Sequence, residues 1–176
     1  GNFAPGRASA LAQLKIYLLG RLLWDPDADV NALTDDFVRG YYREAAFPMR
    51  RYAALWQENT PHHAGIYDEA DAPYLGAERL SKAKALLDEA LTMAQTPETL
   101  ERVQREALSV RYALLAQAKP QAPGRAEEAR RLIRDAERLG ITELHERKEW
   151  TASARLLEEG PTPEKRHALT GISYPI

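Results

Sequence analysis

The stretch LLDEALTMAQTPETLERVQREALSVRYALL, residues 86–115, contains the clearest structural signal in the chain. On both sides of its short central segment, apolar residues recur at intervals of three and four, which is the period of one helix face. We predict one helix from Leu80 to Met93 and a second from Pro97 to about Gln117. Because only a few residues separate them, the two helices should pack as an antiparallel hairpin.

The second helix of this hairpin has a clear start signal. Thr96 is a good N-cap, Pro97 suits the first helical position and Glu98 lies beside it. The residues expected to face the core are Leu80, Ala83, Leu87 and Ala90 in the first helix, and Leu100, Val103, Ala107, Val110 and Leu114 in the second.

The composition favours helices throughout. Leu and Ala dominate the aliphatic residues, while Val and Ile together number ten, and strands prefer β-branched side chains. We predict an all-α fold of about six helices, with antiparallel helical hairpins in a bundle-like array. At 176 residues the chain suits one domain. We expect it to span residues 1–160, followed by a loose tail at 161–176.

Four further helical segments follow from the same periodicity. The first is Ala8–Leu23, and the second is capped by Asp29, with Val30, Leu33, Phe37 and Tyr41 inward. The third runs from about Ala45 to Gln57, with Met49, Tyr52, Leu55 and Trp56 inward. The fourth runs from about Arg125 to Leu139, with Ala126, Ala129, Leu132, Ile133 and Ala136 inward. Pro48 falls in the first turn of the third segment, and Gly140 suits the left-handed position that ends the last. A final amphipathic segment is expected at Glu143–Leu157.

Charge and composition argue against several classes of protein. Lys and Arg total 24 against 26 Asp and Glu, and the two signs are interleaved, so no basic nucleic-acid surface is expected. Lys15 and Arg21 interrupt the most apolar part of the chain, so no membrane span is predicted. The chain has no Cys, and its first residues show no signal peptide.

The first helix is apolar on nearly all its faces. Leu11, Leu14, Leu18 and Leu22 form one face, and Ile16, Tyr17, Leu19 and Leu23 lie on others. Such a helix needs burial on several sides. It is either the central helix of the domain or a helix that packs against something outside this chain.

The aspartates that follow this helix allow two interpretations. Asp25, Asp27 and Asp29 occupy positions one, three and five of a calcium loop, and Asp36 falls at position twelve. A calcium loop needs Gly at position six for its sharp turn, and this chain has Val30 there. We therefore predict a junction between two helices, in which the carboxylates cap the second helix, and no metal or other cofactor.

No set of residues forms a recognisable active site, so we predict no catalytic residue. The pairs Asp35 with Asp36 and Asp68 with Asp71 could imitate glycosidase carboxylates, but solvated surface charge explains them better. The long loop Asn59–Glu78 could border a ligand site. Its candidate substrate-binding residues are His62, His63, Tyr67 and Tyr74. Tyr41 and Tyr42 could stack on sugars, although core packing suits their helical positions better.

The N-terminal part, residues 14–52, resembles a known family. The residues that carry the resemblance are Leu22, Leu23, Trp24, Asp25, Pro26, Asp29, Val30, Asp35, Asp36, Phe37, Gly40, Tyr41, Tyr42, Ala45, Ala46 and Pro48. The chain resembles the C-terminal helical region of a bacterial family catalogued as a domain of unknown function. Full-length members carry a glycoside hydrolase-like barrel and overlap glycoside hydrolase family 163. The resemblance continues, in more generic helical sequence, through residues 86–115 and 138–146.

The resemblance implies that catalysis takes place outside this chain. The sugar-cleaving chemistry of the family is expected in an N-terminal barrel, which needs about 250 residues. Relatives resemble endo-acting N-acetylglucosaminidases on N-glycans, and none of their catalytic residues maps onto this sequence. A secreted or periplasmic parent protein is implied. The sequence departs from the family at Arg43, where Gly is common, so Arg43 should either strain or reshape a left-handed turn.

Two functional hypotheses follow. In the first, the chain is a non-catalytic scaffold whose first helix packs on the absent barrel through Leu18, Leu19, Leu22 and Trp24, or pairs with a second copy. It predicts an exposed apolar patch on that helix. In the second, a groove beside the hairpin Leu80–Leu115 binds a protein partner, which requires a concave face with exposed apolar residues there.

Overall fold

A computed structural model describes residues 10–58, 73–141 and 157–160. Within these residues the chain forms six α-helices longer than one turn, and no strand. They are α1 (Ala12–Trp24), α2 (Val30–Tyr42), α3 (Ala46–Gln57), α4 (Ala77–Met93), α5 (Pro97–Gln117) and α6 (Arg125–Arg138). Two 3₁₀ turns, Arg43–Ala45 and Pro73–Leu75, precede α3 and α4. The all-α prediction is confirmed.

Some predicted elements lie outside the described residues. These are the tail at 161–176, the amphipathic segment at 143–157 apart from its last residue, and residues 59–72 of the long loop. The division into a domain at 1–160 and a tail therefore stays a prediction.

Helices that are consecutive in the chain also pack against each other in space. α2 packs on α3, α3 on α4, α4 on α5 and α5 on α6, while α1 packs mainly on α2. α5 also contacts α2, so it lies near the middle of the array. The connections are short except between α3 and α4, where residues 58–76 intervene. Short connections between packed neighbours produce helical hairpins.

Two hydrophobic cores lie against α5. The main core contains residues of α1 to α5, among them Tyr42, Met49 and Leu87. The second core contains Leu108 and other residues of α5, with residues of α6 and Leu157. Because α5 serves both cores, more of its surface is buried than a single apolar stripe predicts. Leu100, Ala107 and Leu114 of the predicted stripe are only half-buried, whereas Thr99, Glu106, Leu108, Tyr112, Ala113 and Leu115 are also buried.

The predicted hairpin is confirmed, with the differences in the buried face of α5 described above. Leu80, Ala83, Leu87 and Ala90 are the buried residues of α4. The Thr96 hydroxyl accepts a hydrogen bond from the Thr99 N–H at 3.2 Å, and Pro97 is the first residue of α5. α4 begins three residues earlier than predicted, at Ala77.

The buried face of α2 differs from the predicted one. Its buried residues are Leu33, Thr34, Val38 and Tyr42. Val30 is exposed, and Phe37 and Tyr41 are only half-buried. Thr34 can be buried because its hydroxyl donates a hydrogen bond to the Val30 carbonyl at 2.7 Å. The predicted stripe consisted of apolar residues only and did not include Thr34, and the observed buried face lies about one residue nearer the C-terminal end of the helix.

Smaller differences occur in the other helices. α1 begins at Ala12 rather than Ala8, because Leu11 adopts a left-handed conformation with φ 53°. In α3, Met49, Tyr52 and Trp56 are buried as predicted, while Leu55 is half-buried. In α6, Ala129, Leu132 and Ala136 are buried, Ile133 is half-buried and Ala126 is exposed. Gly140 has φ 71°, which confirms the predicted helix end.

Arg43, at the junction of α2 and α3, has the backbone strain that the resemblance predicted. Its φ of 43° and ψ of −113° lie in a region that only Gly adopts readily. Its side chain forms an exposed ion pair with Glu98 at 3.2 Å. Exposed ion pairs contribute little to stability, so this contact does not offset the strain.

Arg43→Gly should therefore stabilise the protein. Relief of about 1–3 kcal/mol of backbone strain outweighs the extra unfolded-state entropy of Gly, about 0.4–1 kcal/mol. We expect a net gain of about 1 kcal/mol in urea unfolding. Arg43→Ala is the matched control, since it removes the same ion pair but keeps the strain. Equal stabilities for the two variants would contradict this explanation.

Candidate interaction surface

α1 is the least covered helix of the described fold. Only Leu14 is buried among the residues of the helix itself. Ile16 is 40% exposed, Leu19 51%, Leu23 77% and Trp24 92%. Single exposed apolar residues are common on protein surfaces, whereas large contiguous apolar patches are typical of interaction surfaces.

The exposed apolar residues of α1 share one side of the helix. Ile16, Leu19 and Leu23 are spaced by three and four, so they form a single stripe, and Trp24 extends it at the C-terminal end. Gly20 lies within the stripe, and a Cβ placed there would meet no atom within 4 Å. The backbone of α1 is therefore open to close approach by another element. We call the surface of Ile16, Leu19, Gly20, Leu23 and Trp24 the α1 face.

The side of α1 that bears Leu14 and Leu18 holds the helix on the bundle, and Tyr17 lies at its edge. Leu14 lies in the main core, and Leu18 packs against it. The Tyr17 ring lies 5.3 Å from that of Phe37, and the Tyr17 hydroxyl donates a hydrogen bond to Asp36 at 2.8 Å. These contacts fix which side of the helix points outward.

A buried carboxyl group holds the N-terminal end of α1. The Leu11 N–H donates to Oε2 of Glu106 at 2.7 Å, and the Tyr42 hydroxyl donates to Oε1 at 3.1 Å. Burial raises the pKa of Glu106, although these two bonds and Lys15 oppose the shift. Burial also lowers the pKa of Lys15, against the attraction of Glu106. One carboxyl group thus joins α1, α2 and α5.

The aspartate-rich segment is a helix junction, as predicted. Asp29 Oδ1 accepts hydrogen bonds from the N–H groups of Asn31 at 2.8 Å and Ala32 at 3.2 Å, which caps α2. Asp35 pairs with Arg50, whereas Asp36 accepts the bond from Tyr17 described above. These two carboxylates therefore serve different partners. Across the described ranges, no three acidic or His side chains are grouped so as to hold a metal ion.

The predicted sugar-binding residues are not brought together in the described part of the chain. His62, His63, Tyr67 and the pair Asp68 and Asp71 lie outside it. Tyr74 is buried in the main core at 8% exposure, so its ring contributes to packing. The prediction of a ligand site at this loop stays a prediction.

The two adjacent tyrosines pack within the protein. Tyr42 is fully buried. The Tyr41 ring is half-buried, stacked on Phe37 at 4.9 Å and covered by the Arg102 guanidinium at 4.1 Å. Core packing is therefore confirmed over sugar stacking for Tyr42, and the faces of the Tyr41 ring are largely occupied.

A groove of about 460 Å³ runs beside the hairpin, between α4 and α6 and across α5. Its apolar lining includes Leu87, Val110 and Leu139, all of which are buried. Arg111 bridges its side, donating to Glu128 and to Asp135 at 2.7 Å each. A second groove, of about 450 Å³, lies between α3 and α4. Neither presents exposed apolar side chains like those of the α1 face.

Two buried charged residues, Glu106 and Arg125, were not predicted from the sequence. Glu106 could have been found, because it lies three positions after Val103 and four before Val110, on a predicted core face. Arg125 is 4% exposed and donates to the Leu157 carbonyl at 2.7 Å. The sequence has no local signal for this second contact, since the partner is 32 residues away. Among the described helices, none is long and apolar enough to cross a membrane.

Comparison with known proteins gives a partial family match. No curated protein and no solved structure has significant similarity to the chain. Residues 4–54 match the model of a family described as a domain of unknown function, DUF4838. The matched part contains α1, α2 and most of α3, and therefore the α1 face, the aspartate-rich junction and Arg43. Over this N-terminal part the chain is similar to a family whose function is not known.

Proposed function

We propose that this chain is a non-catalytic helical accessory domain that supports another folded domain through the α1 face. The observation that carries the proposal is the exposed stripe of Ile16, Leu19 and Leu23, ended by Trp24. Exposing these side chains to water is unfavourable, by about 25 cal/mol per Å² of apolar surface. Packing against a second apolar surface removes that cost.

The partner in this proposal is a glycoside hydrolase-like barrel of the same protein. Its support is the resemblance of residues 14–52 to helical regions that accompany such barrels. The barrel would act on carbohydrate, while this domain stabilises it. In a preparation of the isolated chain, the same face is free to pair with a second copy.

A non-catalytic role agrees with the structural hydrogen bonds of the two buried charged residues, Glu106 and Arg125. Glu106 accepts hydrogen bonds from Leu11 and Tyr42, and Arg125 donates to the carbonyl groups of Leu157 and Glu158. Both side chains therefore join helices to neighbouring segments. Structural networks of this kind also perturb pKa values, so the raised pKa of Glu106 does not by itself indicate catalysis.

The first test compares glycan release from N-glycoproteins by the isolated chain and by a full-length protein that carries it. We expect release by the full-length protein and none by the isolated chain. Cleavage by the isolated chain would overturn the non-catalytic role. An inactive full-length protein would contradict the proposed carbohydrate-processing partner.

A second test removes the α1 face. Replacing Leu19, Leu23 and Trp24 with Ser in the full-length protein should lower the melting temperature of the barrel and increase its susceptibility to protease. Self-association of the isolated chain, measured by sedimentation, should also weaken. The matched control is Phe47→Ser, which changes an apolar side chain that is 66% exposed on α3. If the triple variant and the control behave alike, the α1 face is not the docking surface.

A hairpin module that binds a protein partner is the alternative function. The groove across α5 provides the concave shape that this alternative requires. Its deep apolar side chains Leu87 and Val110 are already buried by neighbouring helices, and Lys84 pairs with Asp88 at its side. The exposed apolar surface that such a module needs is concentrated on α1 instead, which is why we place the scaffold role first.

A further inference from the structure

Glu106 is the most deeply buried carboxyl group in the described part of the chain, and it lies where α1 joins the bundle. Its side chain is 6% exposed. It has direct hydrogen bonds from Leu11 at the N-cap of α1 and from Tyr42 near the end of α2. α1 otherwise packs mainly on α2, and this carboxyl group links the N-terminal end of α1 to α5.

The groups around Glu106 compensate its charge only in part. Lys15 approaches from α1 and is the cation whose attraction lowers the pKa of the carboxyl. Tyr41 and Tyr42 of α2 and Tyr52 of α3 also lie near Glu106. Burial raises the pKa of each hydroxyl, and the charge of Glu106 raises it further. Burial also lowers the pKa of Lys15. The ionised carboxyl therefore has one cationic neighbour, which is itself poorly solvated.

Protonated Glu106 keeps its bond to α1. In the neutral acid, Oε2 still accepts the bond from the Leu11 N–H, whereas the bond to Tyr42 reverses, so that the acid hydroxyl donates to the Tyr42 oxygen. The link to Leu11 is thus present in both forms, and burial of the carboxyl disfavours the charged one. Moving Leu11 and Lys15 away would admit water, which favours the ionised form.

We propose that Glu106 makes the attachment of α1 pH-dependent, with α1 held more tightly when the carboxyl is protonated and loosened at its N-terminal end when the carboxyl ionises. This rests on the proposed function in one respect, because α1 bears the docking face and its placement would regulate docking. The link itself is a property of the isolated chain.

The direction of the pH dependence follows from the linkage between protonation of Glu106 and attachment of α1. The pKa of Glu106 is raised above its ordinary value of 4.5 while α1 is attached, and it returns toward that value when water reaches the group. The extra stability of the attached state is therefore fully present below pH 4.5 and is lost as the pH rises through the raised pKa. Each unit by which the pKa of Glu106 is raised corresponds to a tenfold change in the equilibrium between attached and loosened α1, or about 1.4 kcal/mol.

Hydrogen exchange at the Leu11 amide tests this directly. It is measured by NMR on the isolated chain from about pH 4 to 8, and protection is expressed relative to Glu106→Gln at each pH to remove the intrinsic pH dependence. Gln mimics the protonated acid, since its carbonyl accepts from Leu11 and its amide donates to Tyr42. We expect wild-type protection to fall relative to the variant as pH rises, tenfold for each unit of pKa elevation.

Two further measurements make the result decisive. Glu101→Gln changes an exposed carboxylate of the same helix and should leave the wild-type profile intact. The carboxyl carbon of Glu106 in the wild type should titrate above pH 4.5, a measurement that does not depend on any variant folding. Parallel profiles for wild type and Glu106→Gln, or an ordinary titration of Glu106, would overturn the proposal. Failure of the α1 face variants to affect a barrel would leave these results unchanged, so the two proposals fail separately.

Discussion

Tyr42→Ala is expected to lower the free energy of unfolding by about 3–5 kcal/mol, as for other large aromatic side chains removed from a core. Tyr42 is fully buried in the main core, and its ring makes edge contacts with those of Phe37 and Tyr41 at 6.3 and 5.0 Å. Its hydroxyl also donates to the buried carboxyl of Glu106. Single domains are stable by about 5–15 kcal/mol, so urea unfolding should show a variant near its stability limit.

The neighbouring tyrosine provides the matched control. Tyr41 is half-buried, and its ring lies between Phe37 and the Arg102 guanidinium. Tyr41→Ala leaves a site that water can partly fill, so we expect a loss of about 1 kcal/mol, typical of point substitutions. Tyr42→Phe isolates the hydroxyl and should cost about 1 kcal/mol through its hydrogen bond. Equal losses for the two alanine variants would contradict the burial pattern.

The contrast between Tyr41 and Tyr42 shows which features of a helix sequence periodicity can predict and which it cannot. The sequence placed a helix here and capped it correctly at Asp29, because capping depends on neighbouring residues. The predicted apolar stripe included Tyr41, whereas the structure buries Tyr42. The buried face also includes Thr34, whose hydroxyl donates a hydrogen bond to the Val30 carbonyl within the same helix. A rule that places polar residues outside cannot anticipate this local compensation.

The α4–α5 hairpin was predicted well because its signals are local and agree with one another. Apolar residues recur regularly on α4, and Thr96 with Pro97 marks the start of α5. Glu106 was missed because its partners are remote: Leu11 lies 95 residues away and Tyr42 lies 64 residues away. Contacts over such separations depend on the packing of several helices.

The α1 face was predicted only in part. The sequence predicted that Leu18, Leu19, Leu22 and Trp24 face outward. Leu19 and Trp24 are exposed, whereas Leu18 packs against the main core and Leu22 is only half-exposed. The difference arises because Leu14 lies in the main core and Tyr17 contacts Phe37, which turns Leu19 outward. The strain at Arg43 was predicted from the resemblance, in which Gly is common at this position, and the structure gives Arg43 a φ of 43°.

The second core predicts that α6 can unfold separately from the helices of the main core. Leu132 is 1% exposed and packs among residues of α5, α6 and Leu157. The two cores are distinct clusters that share α5 alone among the helices. Local loss of packing in the second core should therefore leave the helices of the main core folded.

Leu132→Ala should accordingly release α6 before the rest of the protein unfolds. The substitution is expected to cost about 2–5 kcal/mol, and the loss falls on the contacts between α5 and α6. Hydrogen exchange followed by mass spectrometry should show reduced protection along residues 125–138 and little change in α3 and α4. Two ion pairs from Arg111, to Glu128 and Asp135, still join the helices, but half-exposed pairs cannot replace a buried leucine.

Leu80→Ala is the corresponding substitution in the main core, where Leu80 is also 1% exposed. It should reduce protection in α3, α4 and the facing part of α5, and lower global stability by a similar amount. Ile133→Ala, beside Leu132 but only half-buried, should have a smaller effect on α6. If Leu132→Ala and Leu80→Ala reduced protection uniformly across all six helices, the two cores would form one cooperative unit. Selective exposure of α6 would instead show that α5 joins two units of separate stability, with α1 and its exposed face on the side of the main core.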